Sequence, residues 1–257
     1  MNIENMLAVK NCHDRDKCIS FEDIGHKYTI NGDCDYISVT TLTHGLFSEF
    51  NAQLVIKGMM SRSNWPSSQY YGMTETEIMS LWDDNRKESA EKGTMLHKMI
   101  EDYYNDLDVD YENMDEFVYF IQFDSEECIE PYRTEWMIWD DVFKIAGSID
   151  MISKNSDGTF SIYDWKRSKK INMTAFNNKC SEIHGLTHIP DTNYWHYTIQ
   201  LNIYKYILET NYDIVIRDMF IVQIHPNMDK FNKIRINAIT EDIDKIMLRR
   251  GYDLNKV

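Results

Sequence analysis

The chain has 257 residues, 43% apolar and 13% aromatic, which supports a packed core and excludes a disordered chain. Its formal net charge of −15 excludes binding of nucleic acid through an overall basic field, but not a local groove where a few cations converge. Cys12, Cys18, Cys34, Cys128 and Cys180 form no C-x-x-C pair, and no run reaches the roughly 18 apolar residues of a membrane span; a soluble intracellular protein without disulfides, zinc or an iron–sulfur cluster is expected.

Residues 19 to 43 place β-branched and aromatic side chains around Asn31-Gly32, a hairpin dipeptide, and predict an N-terminal β-ribbon. Thr74 and Glu77 form a capping box, so a helix is expected to start there. A second helical pattern runs from Gly93 to Tyr104, with Leu96, Ile100 and Tyr103 on one face. From Arg133 the period shortens to two. RTEWMIW, VFKIAGSIDMIS and TFSIYDWK predict three consecutive antiparallel strands, with turns at Asp140-Asp141 and at 155–158. TIQLNIYKYILE returns to helical spacing, RDMFIVQIH reads as a strand, and residues 240 to 250 as a closing helix. No internal repeat or long linker interrupts this α+β order.

Asp150 and Asp164 are equidistant from Asp157, the middle of the second turn. A symmetric register sets them opposite one another, Cβ atoms about 5 Å apart, with Lys166 on the face of Asp164. Two like charges so placed destabilise a sheet unless a cation lies between them. Mg²⁺, which prefers carboxylate, carbonyl and water oxygens, suits that role, and a lysine beside it orients or deprotonates a water. This is the chemistry of phosphodiester hydrolysis; solvated strand ends account for the same pair without any chemistry.

Other signals are weaker singly. Gly93, His97 and Glu101 share a helix stripe, as an exposed His–Glu pair also would. Gln200 and Tyr204 stand one turn apart on the later helix. The densest cationic run, Lys166-Arg167-Ser168-Lys169-Lys170, follows the carboxylates directly, where Arg167, Ser168 and Lys169 would meet phosphates; such runs are also ordinary solvated faces.

Taken in order, GTMLHKMIE, the acid of RTEW, GSID, DWK and QLNIY resemble the RecB-like branch of the PD-(D/E)XK nuclease superfamily over about residues 90 to 225. The resemblance implies a restriction-endonuclease-like core, a central mixed sheet flanked by helices, over residues 90–257. Residues 1–89 would form a β-ribbon and helical extension packed on it. It implies Mg²⁺ or Mn²⁺ held by Asp150, Asp164, the Trp165 carbonyl and His97, with Lys166 positioning the attacking water. Gln200 and Tyr204 would hold the lysine and contact the phosphate backbone, while Glu101 and Glu135 would stand behind the ligands or serve structure. Ile149 replaces the proline that precedes the first aspartate in many members. Trp65, Tyr70 and Tyr71 lie outside the pattern and either pack or stack on single-stranded bases.

The expected activity is metal-dependent hydrolysis of DNA, by an exonuclease or single-strand-acting enzyme in replication, recombination or repair. The abundance of Asn, Ile, Lys and Tyr would suit an AT-rich, viral genome. RNA cleavage by a histidine-containing site, and a catalytically silent nucleic-acid-binding protein of the same fold, are the alternatives.

Overall fold

The computed structural model describes residues 6–111 and 114–255. A short helix, α1 (Met6–Lys10), precedes an antiparallel ribbon of β1 (Ile19–Glu22) and β2 (Lys27–Ile30). The ribbon turns at 23–26 instead of at Asn31-Gly32. That dipeptide closes a second, tighter turn: both residues have positive φ (+53° and +85°), and Ile30 and Asp33 exchange two backbone hydrogen bonds across it. β3 (Ile37–Ser38) runs directly into α2 (Val39–His44), followed by α3 (Ala52–Met60).

The two helical patterns of the sequence are one helix of 30 residues, α4 (Glu75–Tyr104). Its capping box is formed, with Glu77 N donating to Thr74 Oγ1 and Thr74 N donating to Glu77 Oε2. Between its two apolar stretches lies a solvated, largely polar segment, so the hydrophobic pattern fades although the backbone continues. Lys92 and Glu88 pair there at 2.7 Å, and Gly93 costs only about 1 kcal/mol in a helix interior. The expected division between residues 89 and 90 falls inside this helix.

α5 (Phe117–Glu127), which the sequence pattern does not predict, leads into β4 (Glu130–Asp140), β5 (Ile145–Lys154) and β6 (Phe160–Arg167). α6 (Asn193–Asn211), β7 (Ile216–Ile224), β8 (Asn232–Ile236) and α7 (Thr240–Leu254) complete the chain. The sheet runs β3-β5-β6-β7-β8, with β4 also paired to β5. β4–β5 and β5–β6 are antiparallel, as the two turns require, while β3–β5 and β6–β7 are parallel, so the sheet is mixed.

Strand alternation divides the core into two layers. Ile162, Met219 and Ile221 pack with Ile199, Ile203 and Ile207 of α6 on one face. Tyr163, Trp165, Val222 and Ile224 meet Leu96 and Ile100 of α4 and Phe117, Phe120 and Phe123 of α5 on the other. Phe120 and Phe123 set their edges against Trp165, ring centroids 5.6 and 5.3 Å away. Each such buried side chain contributes about 1.5–3 kcal/mol. The architecture is therefore the expected mixed α+β one, a central mixed sheet flanked by helices.

Candidate metal centre

The β5–β6 register is the symmetric one: Lys154 faces Phe160, and the ladder continues to Met151 opposite Tyr163. One step further it would set Asp150 opposite Asp164, but there the strands part. The Asp150 carboxylate takes over the ladder, its Oδ2 accepting from Trp165 N at 2.8 Å. On the other side of β5, Thr134 pairs with Met151 and Trp136 with Ile149, so Glu135 stands across from Asp150. Three carboxylates, Glu135, Asp150 and Asp164, thus occupy one transverse row over three adjacent strands.

Glu135 has φ +44° in the middle of its strand. A side chain in left-handed backbone costs roughly 1–2 kcal/mol, and such strain concentrates at functional sites. Its Oε2 accepts from Ser148 Oγ at 3.2 Å, and Oε1 lies 3.4 Å from His97 Nδ1.

α4 brings His97 from the opposite side of the sheet to α6. Its Nδ1 also lies 3.6 Å from Asp150 Oδ1, and Nε2 donates to the Trp165 carbonyl at 2.9 Å. His97, Glu135 and Asp150 each offer a ligand atom, all within 4.8 Å of one another. Asp164, on the α6 face with Lys166, is engaged differently. Lys166 Nζ approaches its buried Oδ2 to 2.7 Å as an ion pair, and that oxygen has no other partner among the described residues.

The protonation states follow from this crowding. Burial pushes Asp150 above the usual carboxylate range, against the pull of His97 and Lys166. Asp164 rises to about 6, again through burial, with Lys166 opposing and Asp150 reinforcing. For His97 burial works downward, but Asp150 and Glu135 prevail and hold it at about 9. Lys166 likewise stays above its ordinary value, because Asp164 and Asp150 outweigh its desolvation. Near neutral pH both cations are charged.

These residues fit a hard divalent ion. Two carboxylates gather on one imidazole nitrogen, and the buried Asp164 oxygen has no partner but Lys166, a donor set suited to Mg²⁺ and, through the imidazole, to Mn²⁺. The Trp165 carbonyl, expected as a ligand, accepts the His97 hydrogen bond here. Glu135, expected behind the ligands, approaches His97 as closely as Asp150 does. Its place was readable: five residues back from Asp140 and five forward from Ile145, the pair closing the first turn, lead to Glu135 and Asp150.

Gly147 explains the approach of α6. A Cβ there would lie 2.7 Å from Tyr204 Cε1, so the ring needs the bare backbone. Gln200 Nε2 donates to the Tyr204 hydroxyl at 3.0 Å, so these two hold each other. The α6 residue found at Lys166 is Tyr197, its ring centroid 4.9 Å from Nζ in a cation–π contact. Tyr197, Gln200 and Tyr204 follow i, i+3, i+7 spacing, which would have marked Tyr197 beforehand.

No family model matches the chain, and no curated protein matches it. Two solved structures share its layout weakly. The crystal structure of SSO0001 is 18% identical with a TM-score of 0.38, over 85% of this chain and 74% of that one. A protein from Eubacterium rectale, provisionally named an exonuclease, is 14% identical with a TM-score of 0.36, over 86% and 79%.

The cationic run lies mostly away from the carboxylates. Arg167 points to the α5 side and pairs with Glu116, the two side chains only 9% and 5% exposed, so it is committed to a buried ion pair. Ser168 Oγ donates to the Lys170 carbonyl at 3.1 Å, and its own carbonyl accepts from Gln223 Nε2. Lys169 is exposed to solvent. Glu101, one turn beyond His97, has Lys98 Nζ at 3.3 Å.

Proposed function

We propose that this chain is a divalent-metal-dependent nuclease that hydrolyses phosphodiester bonds of DNA, acting on ends or single strands. The observation that carries the reading is the transverse row of Glu135, Asp150 and Asp164 over three strands, with Lys166 at 2.7 Å from Asp164. Asp150, Asp164, Glu135 and His97 would hold Mg²⁺ or Mn²⁺. When bound, the ion supplies an acidified water and charge to offset that building on the phosphate oxygens.

The chain's own groups do the rest. Lys166, held above its ordinary value by Asp164 and Asp150, would donate to the attacking water or the phosphate oxygen. Tyr197 limits the lysine's rotation by offering its ring face. The hydrogen bond from Trp165 N fixes one oxygen of Asp150, leaving Oδ1 directed at the cluster. Glu135 takes the position opposite Asp150 at the cost of a strained backbone.

The test is digestion of end-labelled linear, circular and single-stranded DNA, with matched RNA, in Mg²⁺ or Mn²⁺. Wild-type protein should cleave DNA, and Asp164→Asn should lose at least about a hundredfold, the scale of removing one fixed electrostatic partner. Undiminished cleavage by the variant would reject the site. Preferential cleavage of RNA would reject the DNA assignment, and absence of all cleavage would reject the activity.

A further inference from the structure

Two walls enclose an open groove of about 1220 Å³. This exceeds the roughly 300–1,000 Å³ of a small-molecule pocket and suits an extended ligand. One wall is α2, α3 and the segment between them; the other is the loop before α6 and the first turn of α6. Aromatic faces line it. Phe47 stacks on His196 with centroids 4.3 Å apart and planes at 23°, while Phe50 and Phe176 remain 71% and 64% exposed. Exposed aromatics gathered in one concavity mark a binding surface.

Two cations tie the walls together through neutral partners. Arg62 lies over the Phe176 ring at 5.5 Å, and Lys179 Nζ donates to Ser48 Oγ at 3.0 Å. Neither has a carboxylate within ion-pair distance among the described residues, whereas many cations of this acidic chain do. Of the lining acids, Asp191 is engaged by His196 at 2.9 Å; the other is Glu49. The walls of the groove and the carboxylates share two elements, α6 and α2. His196 is followed by Tyr197, which contacts Lys166, and α2 starts at Val39, whose side chain lies against Gly147 of β5.

We propose that this groove carries the unpaired strand of a nucleic acid to the metal centre. Bases stack on Phe50, Phe176 and the Phe47–His196 pair, and Arg62 and Lys179 meet phosphates. The proposal rests on the nuclease reading and specifies its substrate as a single strand, because base faces are available for stacking only when unpaired.

Binding is measured without metal, in EDTA, on the full chain carrying Asp164→Asn, by anisotropy of a labelled 20-nucleotide oligothymidylate and of a duplex of equal length. The single strand should bind tighter than the duplex. Phe50→Ala with Phe176→Ala should weaken it roughly tenfold or more. Both side chains are largely exposed, and a thermal melt confirms folding. Arg62→Ala with Lys179→Ala should flatten the slope of log affinity against log salt by about 1.4, two phosphates' worth. No binding of the single strand, preference for the duplex, or unchanged affinity in both double variants would overturn the proposal, and would assign the groove to a protein segment. A wild type that cleaves DNA while the groove variants bind unchanged leaves the nuclease reading standing without the groove. Groove-dependent binding by a wild type that cleaves nothing leaves the groove and removes the nuclease.

Discussion

Glu135 faces Asp150 across the β4–β5 ladder from a left-handed backbone, φ +44°, in the middle of an 11-residue strand. Nothing in the ladder requires that conformation, since the residues on both sides keep their pairs. The contacts it gains are to His97 and Ser148, at the cluster.

Strain of this kind separates stability from function. Glu135→Gly should be more stable than Glu135→Ala by about 1 kcal/mol, because glycine accepts positive φ without penalty. Both should bind Mn²⁺ more weakly than wild type. Urea unfolding without metal gives the first comparison and calorimetric titration the second. Equal stability of the two variants would show that the backbone is not strained.

Protons compete with the ion for the same atoms. His97 at about 9 and Asp164 at about 6 are both raised, so each holds a proton to higher pH than usual and must release it to coordinate. Mn²⁺ affinity should therefore climb steadily from pH 5.5 to 9, with proton release measurable by titration in buffers of different ionisation enthalpy. A flat profile would mean that neither group is a ligand.

Gly147→Ala should cost about 1–3 kcal/mol, since its Cβ would lie 2.7 Å from a fully enclosed ring. Combined with Tyr204→Leu, the loss should fall short of the sum of the single losses, because the smaller side chain vacates the contested space. Additive losses in thermal unfolding would remove the steric explanation.

Asp157 sits in the β5–β6 turn, its carboxylate accepting from Thr159 Oγ1 and Thr159 N and meeting Arg217, which lowers it to about 2. A depressed folded value stabilises above the unfolded value of 3.8 and is lost as pH falls toward 2. Wild type should therefore lose more stability than Asp157→Ala between pH 4 and pH 2. Parallel acid titrations would refute this role of the turn.

The parts of the centre legible in the sequence are those fixed by local geometry. The two turns determine the pairing of three consecutive strands, so the positions of Asp150 and Asp164 follow from counting residues, and Lys166 from the two-residue pleat. Positions fixed by distant partners were hidden. Arg167 reads as a free cation until Glu116, 51 residues earlier, is found beside it. The continuity of α4 is masked by a polar segment in which neither apolar periodicity nor a breaker appears. α5 carries no clear helical stripe in the sequence, because FVYFIQF is apolar nearly all round.

The central claim is that one divalent ion is shared by acids of neighbouring strands beside a lysine. Crystals soaked in Mn²⁺ and recorded for anomalous scattering test it most directly. The expected result is a peak within about 2–2.5 Å of carboxylate oxygens of both Asp150 and Asp164. No peak, or one bound by only one of these residues, would contradict it.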